Sequence, residues 1–319
     1  MRKIRVAVVG AGVFGRHHLR VIQQSRRAEL IAVVDRDRAR AREAAEGFQC
    51  AALEDLGELQ GKVEAAVVAA PTSAHAEVGC ALLEAGIDVL VEKPIAGDLA
   101  SAHRLLRAAE RGSRILQVGH LERFNPAVAA LEKITRRPLF FEVHRMSVFT
   151  PRSLDVDVVL DLMIHDLDIV LSLVKEVPQE IRAAGISILS PKVDIANVRL
   201  AFPGGCVANL TASRVSTERV RKLRMFQPSQ YLSVDYARQD VFALEVGENR
   251  QIQPAVLPVE KAEPLRLELE SFFHAVETRS EPVVSGADAC RALEVALAIL
   301  DRIEEHSRLV AQSLAAGES

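Results

Sequence analysis

Tryptophan is absent from this chain, and tyrosine occurs only twice in 319 residues. Little aromatic surface is therefore left on which an uncharged ring could stack, which favours a ligand held by an anionic handle. The four cysteines, Cys50, Cys80, Cys206 and Cys290, show no CxxC spacing and have apolar neighbours. That pattern argues against a disulfide scaffold and against bound zinc, and fits reduced thiols in a cytoplasmic protein. No run approaches the ~18 apolar residues of a membrane helix. The opening stretch Ile4–Val9 is too short for a secretory signal and ends in a glycine loop. Neither sign of charge dominates. A formal net charge of −3 provides no basic field to recruit nucleic acid or an anionic membrane. No internal repeat or low-complexity linker interrupts the chain.

What is present is the composition of a globular protein, with 49% hydrophobic and 26% charged residues, in a length sufficient for two domains. Up to about residue 120, short apolar runs alternate with helical periodicity, the signature of a parallel α/β sheet. Strands are expected at 4–9, 30–34, 65–70, 87–91 and 115–118, and helices at 17–24, 76–85 and 99–110. Beyond Asn125-Pro126 the strands lengthen and follow one another without helices: 140–146, 181–189, 196–202, 206–213, 231–235 and 241–246. Pro203-Gly204-Gly205 marks a hairpin between two of them. The prediction is a doubly wound Rossmann domain at 1–120 and an α+β domain at 121–319 with an open-faced, mainly antiparallel sheet. Two closing helices, 265–278 and 287–310, are expected to pack back on the first domain.

Gly10, Gly12 and Gly15 form GxGxxG between a strand and a helix, with Val13 and Phe14 inside the loop. The glycines permit a tight turn and let backbone N–H groups approach a pyrophosphate. Asp35 follows at the end of the second strand, where an acid bonds the adenine-ribose hydroxyls. Its charge repels a 2′-phosphate and favours NAD, while Arg36 and Arg38 leave NADP open. Pro71 and Thr72 close the third clear strand at the same edge, with Thr72 in reach of ribose or phosphate. His75 reads equally as a neighbour of the nicotinamide ribose and as an exposed residue of the first helical turn.

Glu92-Lys93-Pro94 ends the next strand. A lysine there points into the crevice where such folds hold their ligand. It can stabilise an alkoxide or polarise a carbonyl, whereas an ordinary lysine would be exposed. Glu92 is expected to pair with Lys93 or a neighbour, and Pro94 admits a cis bond. The second strong signal is 158–174, apolar at nearly every position and therefore a buried helix. At ~100° per residue, Asp161, His165, Asp168 and Ser172 fall within an arc of about 60°, and Asp166 lies off it. Acids and an imidazole on a buried face need a polar cavity or their own network. The functional reading makes His165 a proton acceptor oriented by Asp161. The bland reading is a satisfied core network.

Gly10–Gly15, Asp35, Pro71-Thr72, Glu92-Lys93-Pro94 and Asp161-x-x-x-His165, in this order and spacing, resemble the Gfo/Idh/MocA family of nicotinamide-dependent sugar oxidoreductases. The resemblance covers nearly the whole chain. It implies Lys93, Asp161 and His165 as the catalytic set in an interdomain cleft, hydride transfer from a sugar carbinol, and a homodimer or homotetramer. Residues 119–127 and 155–168 look most like members acting on nucleotide-linked amino sugars in lipid A synthesis, oxidised at the 3-hydroxyl. His120, Arg145 and Arg152 are the expected substrate contacts, the two arginines for a diphosphate. A free sugar or inositol is the alternative substrate, and a cofactor-binding regulator the alternative class. Arg214, Arg219, Arg221, Lys222 and Arg224 could also engage an anionic substrate, but read more simply as a solvated strand face.

Overall fold

The computed structural model describes residues 2–149, 156–247 and 249–317. The chain divides into two compact units, Met1–Leu121 with Glu263–Cys290, and Glu122–Ala262 with Arg291–Ser319. The predicted second domain therefore gives up one segment to the first unit.

In the first unit the elements are β1 (Ile4–Val9), α1 (Val13–Gln24), β2 (Ala28–Val34), α2 (Arg38–Phe48), β3 (Ala51–Leu53), β4 (Ala65–Val68), α3 (Thr72–Glu84), β5 (Asp88–Glu92), α4 (Leu99–Gly112) and β6 (Leu116–Gly119). The six strands are parallel, in the order β3-β2-β1-β4-β5-β6. Every residue of β4 and β5 is buried, as expected of central parallel strands covered on both faces. The strand order reverses between β1 and β4, so their carboxyl ends flank the crevice where an α/β sheet binds its ligand. α2 and β3 were not expected from the sequence. α2 buries only Ala41, Ala44 and Ala45, and β3 has three residues with none buried, so neither leaves a strong apolar period.

The second unit contains α5 (Pro126–Ile134), β7 (Phe140–Val148), a π turn at Val159–Met163 running into α6 (Ile164–Val174), and β8 (Glu180–Ile186), β9 (Ile195–Ala201), β10 (Val207–Ser216), β11 (Val220–Gln227), β12 (Gln230–Asp235), β13 (Asp240–Val246) and β14 (Ile252–Leu257). The eight strands run in the order β14-β13-β12-β11-β7-β10-β9-β8, antiparallel except for β7 beside β10. The Pro203 hairpin joins β9 to β10, with Gly205 at φ +87°. One sheet face is apolar: Val198, Leu210, Leu223, Met225, Leu232 and Val241 share a core with α5 and α6. The other exposes Phe226, Phe242 and Val256. In β11 the basic residues that suggest a solvated strand face alternate with the buried Leu223 and Met225.

The chain then supplies α7 (Pro264–Thr278) to the first unit, where Leu265, Leu269, Phe272 and Phe273 join the core of α1, β1 and β4. Last comes α8 (Gly286–Gly317). No helix among the described residues is long and apolar enough to cross a membrane.

Candidate active site

At the end of β1 the glycine loop is shaped by close backbone approach. Gly10 lies at φ +105°, and a Cβ on it would stand 2.5 Å from the Ala69 oxygen. A Cβ on Gly15 would lie 1.8 Å from the Gly10 oxygen, so α1 can start where it does only with glycine there. Gly12 differs: a Cβ there would meet nothing within 4 Å, which leaves open space over the loop. Gly12 is the N-cap of α1, with no capping side chain and no acid in the first turn. The first N–H groups of α1 are thus left for an anion, favoured also by the helix dipole. By contrast, Asp37 caps α2 and Asp98 caps α4. Val13 and Phe14 stand exposed on the loop at 59% and 46%.

Asp35 is fixed beside this cradle. One carboxylate oxygen accepts from the Ala11 N–H at 2.7 Å and the other from the Asp37 N–H at 2.9 Å. Arg36 is exposed and 3.9 Å from Glu77, and Arg38 pairs with Glu54 at 2.7 Å. Pro71 precedes α3, whose N-terminus at Thr72 also lacks a side-chain cap. These features fit a dinucleotide: an open glycine cradle, two uncapped helix N-termini and an acid at the end of β2.

His75 is not the exposed residue of the first helical turn. It is buried, with Nδ1 2.9 Å from the Pro94 oxygen and Nε2 2.8 Å from the Ala70 oxygen. It ties the turn after β5 to the end of β4. The Lys93–Pro94 bond is cis and Lys93 is half-buried. Glu92 pairs with His18 of α1: Nε2 of His18 and Oε1 of Glu92 are 2.6 Å apart, and the Lys93 N–H donates to Oε2 at 3.3 Å. Glu268 of α7 completes a buried trio with His18 and Glu92, their ligand atoms all within 4.8 Å of one another. Burial, and then the charge of Glu92, push the Glu268 carboxyl well above the usual range. His120 is buried at 1% exposure.

In the second unit, Asp161 lies in the π turn and His165 in the first turn of α6, both half-buried. The helix over 158–174 is thus not α-helical throughout. The Ile164 N–H donates to the Val159 oxygen, five residues back. Such π turns recur at functional sites, and residues four apart still share a face of the wider turn.

Asp166, placed off the functional stripe by the sequence reading, anchors a buried network. Nε and Nη2 of Arg145 donate to its two oxygens at 2.6 and 2.9 Å, and Nη1 donates to Glu122 at 2.9 Å. Arg145 is 3% exposed and its guanidinium lies 5.1 Å from the Tyr236 ring centre. Burial alone would lower its pKa; Asp166 and Glu122 outweigh that and hold it well above its ordinary value. All three of its nitrogens are engaged, so the expected diphosphate contact at Arg145 is corrected to a structural one. Asp168 is buried 3.6 Å from Arg123. Arg152 lies outside the described residues.

The first unit therefore gathers Gly10, Gly12, Val13, Phe14, Gly15, Asp35, Pro71 and Thr72 at one sheet edge, with His75, Glu92 and Lys93 at the neighbouring strand ends. The second carries Asp161 and His165 on one helix. His18 and Glu268 were missed, since neither stands in a recognisable motif. Glu122 and Tyr236 were missed because their partners are remote in sequence.

Comparison with known proteins bears on the family and the fold. The pattern of the oxidoreductase family with an NAD-binding Rossmann fold matches residues 4–120. That of the GFO/IDH/MocA C-terminal domain matches residues 135–226. The chain is 32% identical over 310 residues to a UDP-N-acetylglucosamine 3-dehydrogenase of Acidithiobacillus ferrooxidans, covering 95% of this chain and 98% of that protein. A solved structure of that enzyme superposes with a TM-score of 0.91, covering 96% of this chain and 99% of the other at 32% identity. An inositol 2-dehydrogenase of Rhizobium meliloti is 25% identical over 325 residues, covering 96% of this chain and 98% of that protein.

Proposed function

The chain belongs to the Gfo/Idh/MocA family of oxidoreductases, and from that premise we propose that it oxidises the 3-hydroxyl of a UDP-N-acetyl-amino sugar with NAD. The observation that carries the substrate is the full-length likeness, through both units, to an enzyme of that specificity. The glycine cradle, the α1 and α3 N-termini and Asp35 would hold the dinucleotide. NAD is favoured over NADP because two backbone N–H groups fix the Asp35 charge where a 2′-phosphate would lie.

The chemistry a bound nicotinamide would supply is that of a hydride acceptor for the sugar carbon. His165 takes the hydroxyl proton, Asp161 holds the imidazole, and Lys93 stabilises the alkoxide that develops as that proton leaves. The proton and the hydride together account for the two hydrogens lost in forming the ketone. Lys93 and His165 can exchange these roles, and the pH profiles of variants at each would assign them. The setting proposed is the cytoplasm and the amino-sugar branch of lipopolysaccharide synthesis, in line with four free thiols. Inositol is the second reading, supported by the inositol dehydrogenase relative.

The test is NADH formation, followed by its absorbance, with UDP-N-acetylglucosamine against N-acetylglucosamine and myo-inositol. Turnover of the nucleotide sugar alone is expected, and Lys93→Met or His165→Ala should abolish it while NAD still binds. Turnover of inositol with none of any nucleotide sugar would overturn the proposal.

A further inference from the structure

A nucleotide sugar carries a diphosphate, and Arg145 is already committed to Asp166 and Glu122. Resting on the nucleotide-sugar reading above, we propose that Arg221 is the residue that grips the diphosphate of the substrate. Arg221 is the second residue of β11 and lies directly opposite Arg145 in the β7–β11 pair. It points to the same sheet face as Leu223 and Met225, the face that α6 covers. From the helix that carries His165, a chain of contacts leads to it. Asp166 binds Arg145, Arg145 binds Glu122 at 2.9 Å, and Glu122 lies 3.7 Å from Nη1 of Arg221.

What sets Arg221 apart is spare capacity. Among the described residues its guanidinium makes no hydrogen bond, and Glu122, its nearest carboxylate, already accepts from Arg145. Its side chain is 39% exposed, against 3% for Arg145. Of the other arginines nearby, Arg214 donates to the Val156 oxygen and Arg224 to Glu142, Arg123 faces Asp168 with its side chain only 8% exposed, and Arg219 is exposed. The charge balance points the same way. Burial, followed by the positive charge of Arg145, holds the Arg221 pKa below its ordinary value. An arriving anion would relieve that repulsion and take the unused donors in a bidentate contact.

The test is calorimetric binding of UDP, UDP-N-acetylglucosamine and N-acetylglucosamine to the whole protein. Wild type should be compared with Arg221→Met, Arg221→Lys and the charge-matched control Arg224→Met. Arg221→Met should weaken both UDP ligands about ten- to a hundredfold, the scale of hydrogen bonds to a charged group. KM should rise accordingly with little change in kcat. Arg221→Lys, which keeps the charge but loses the fork, should fall between; it decides the matter if Arg221→Met does not fold. Arg224→Met, which breaks an exposed pair, should stay within about twofold. UDP binding equal to wild type in the Arg221 variants would overturn the inference and leave the proposed reaction standing. A wild type that binds UDP but oxidises no UDP-sugar would overturn the reaction, while the Arg221 variants still decide the subsite. A wild type that binds neither UDP ligand overturns both.

Discussion

Replacing Glu268 by glutamine should stabilise the protein, and by more as the pH rises. Glu268 has no exposed surface, and among the described residues neither carboxyl oxygen has a hydrogen-bond partner. Its neighbours in the trio are His18 and Glu92. Glu92 is the member with polar partners, since His18 Nε2 and the Lys93 N–H both meet its carboxyl group. Glu268 then holds a proton in the folded state at a pH where the unfolded chain, with a pKa of ~4.3, has lost it. A folded pKa raised in this way contributes stability that is fully present below the unfolded value and is lost as pH climbs toward the folded one. Each pH unit in that window costs about 1.4 kcal/mol, so wild type should lose stability from this group steadily as pH rises above the unfolded value, until the folded carboxyl ionises. Glutamine keeps the shape and a donor but has no proton to lose. The assay is urea unfolding of both proteins at intervals from pH 5 to pH 8, since every other titrating group is common to them. The gap should widen with pH and flatten where Glu268 finally ionises. Parallel pH dependences would refute the argument. So would Zn²⁺ added to metal-free wild type raising its stability, but not that of the variant, because a cation and not a proton would then balance the carboxylates.

Three further outcomes follow from the geometry. Asp35→Asn keeps an acceptor for the Ala11 N–H but removes the charge; fluorescence titration should show weaker NADH, stronger NADPH, and a preference shifted by about tenfold or more. Arg145→Met strands the buried carboxylates of Asp166 and Glu122. It should cost about 3–5 kcal/mol in denaturant unfolding, and an effect confined to KM would restore Arg145 as a substrate contact. The exposed apolar face bearing Phe242 and Val256 is expected to pair with another copy of this chain. Sedimentation should find a homodimer or homotetramer that Val256→Glu dissociates, and a wild-type monomer would contradict this.

How far the sequence could be read depended on whether each feature was local. The Rossmann half was legible because a glycine loop, a strand end and an acid lie within a few tens of residues of one another. Each is dictated by a backbone requirement, such as the Gly15 site where a Cβ would meet the Gly10 oxygen. α2 escaped because alanine and arginine make a helix with almost no apolar stripe. The antiparallel half was legible as strands wherever apolar residues alternated, and β11 was lost because its buried Leu223 and Met225 are interleaved with basic residues. One residue shows the limit most clearly. A uniform 100° period set Asp166 apart from Asp161, His165 and Asp168, and hence apart from the chemistry. That position is why it matters: pointing away from that stripe, it meets Arg145 on a strand 21 residues earlier, and the bidentate pair fixes the rotation of the helix that carries His165. Helical periodicity can tell that polar residues share a face, but not which strand supplies their counter-charges. Arg221, whose basic neighbours along β11 suggest a solvated face, makes no side-chain hydrogen bond among the described residues, whereas Arg145, selected from the sequence, has all three nitrogens engaged.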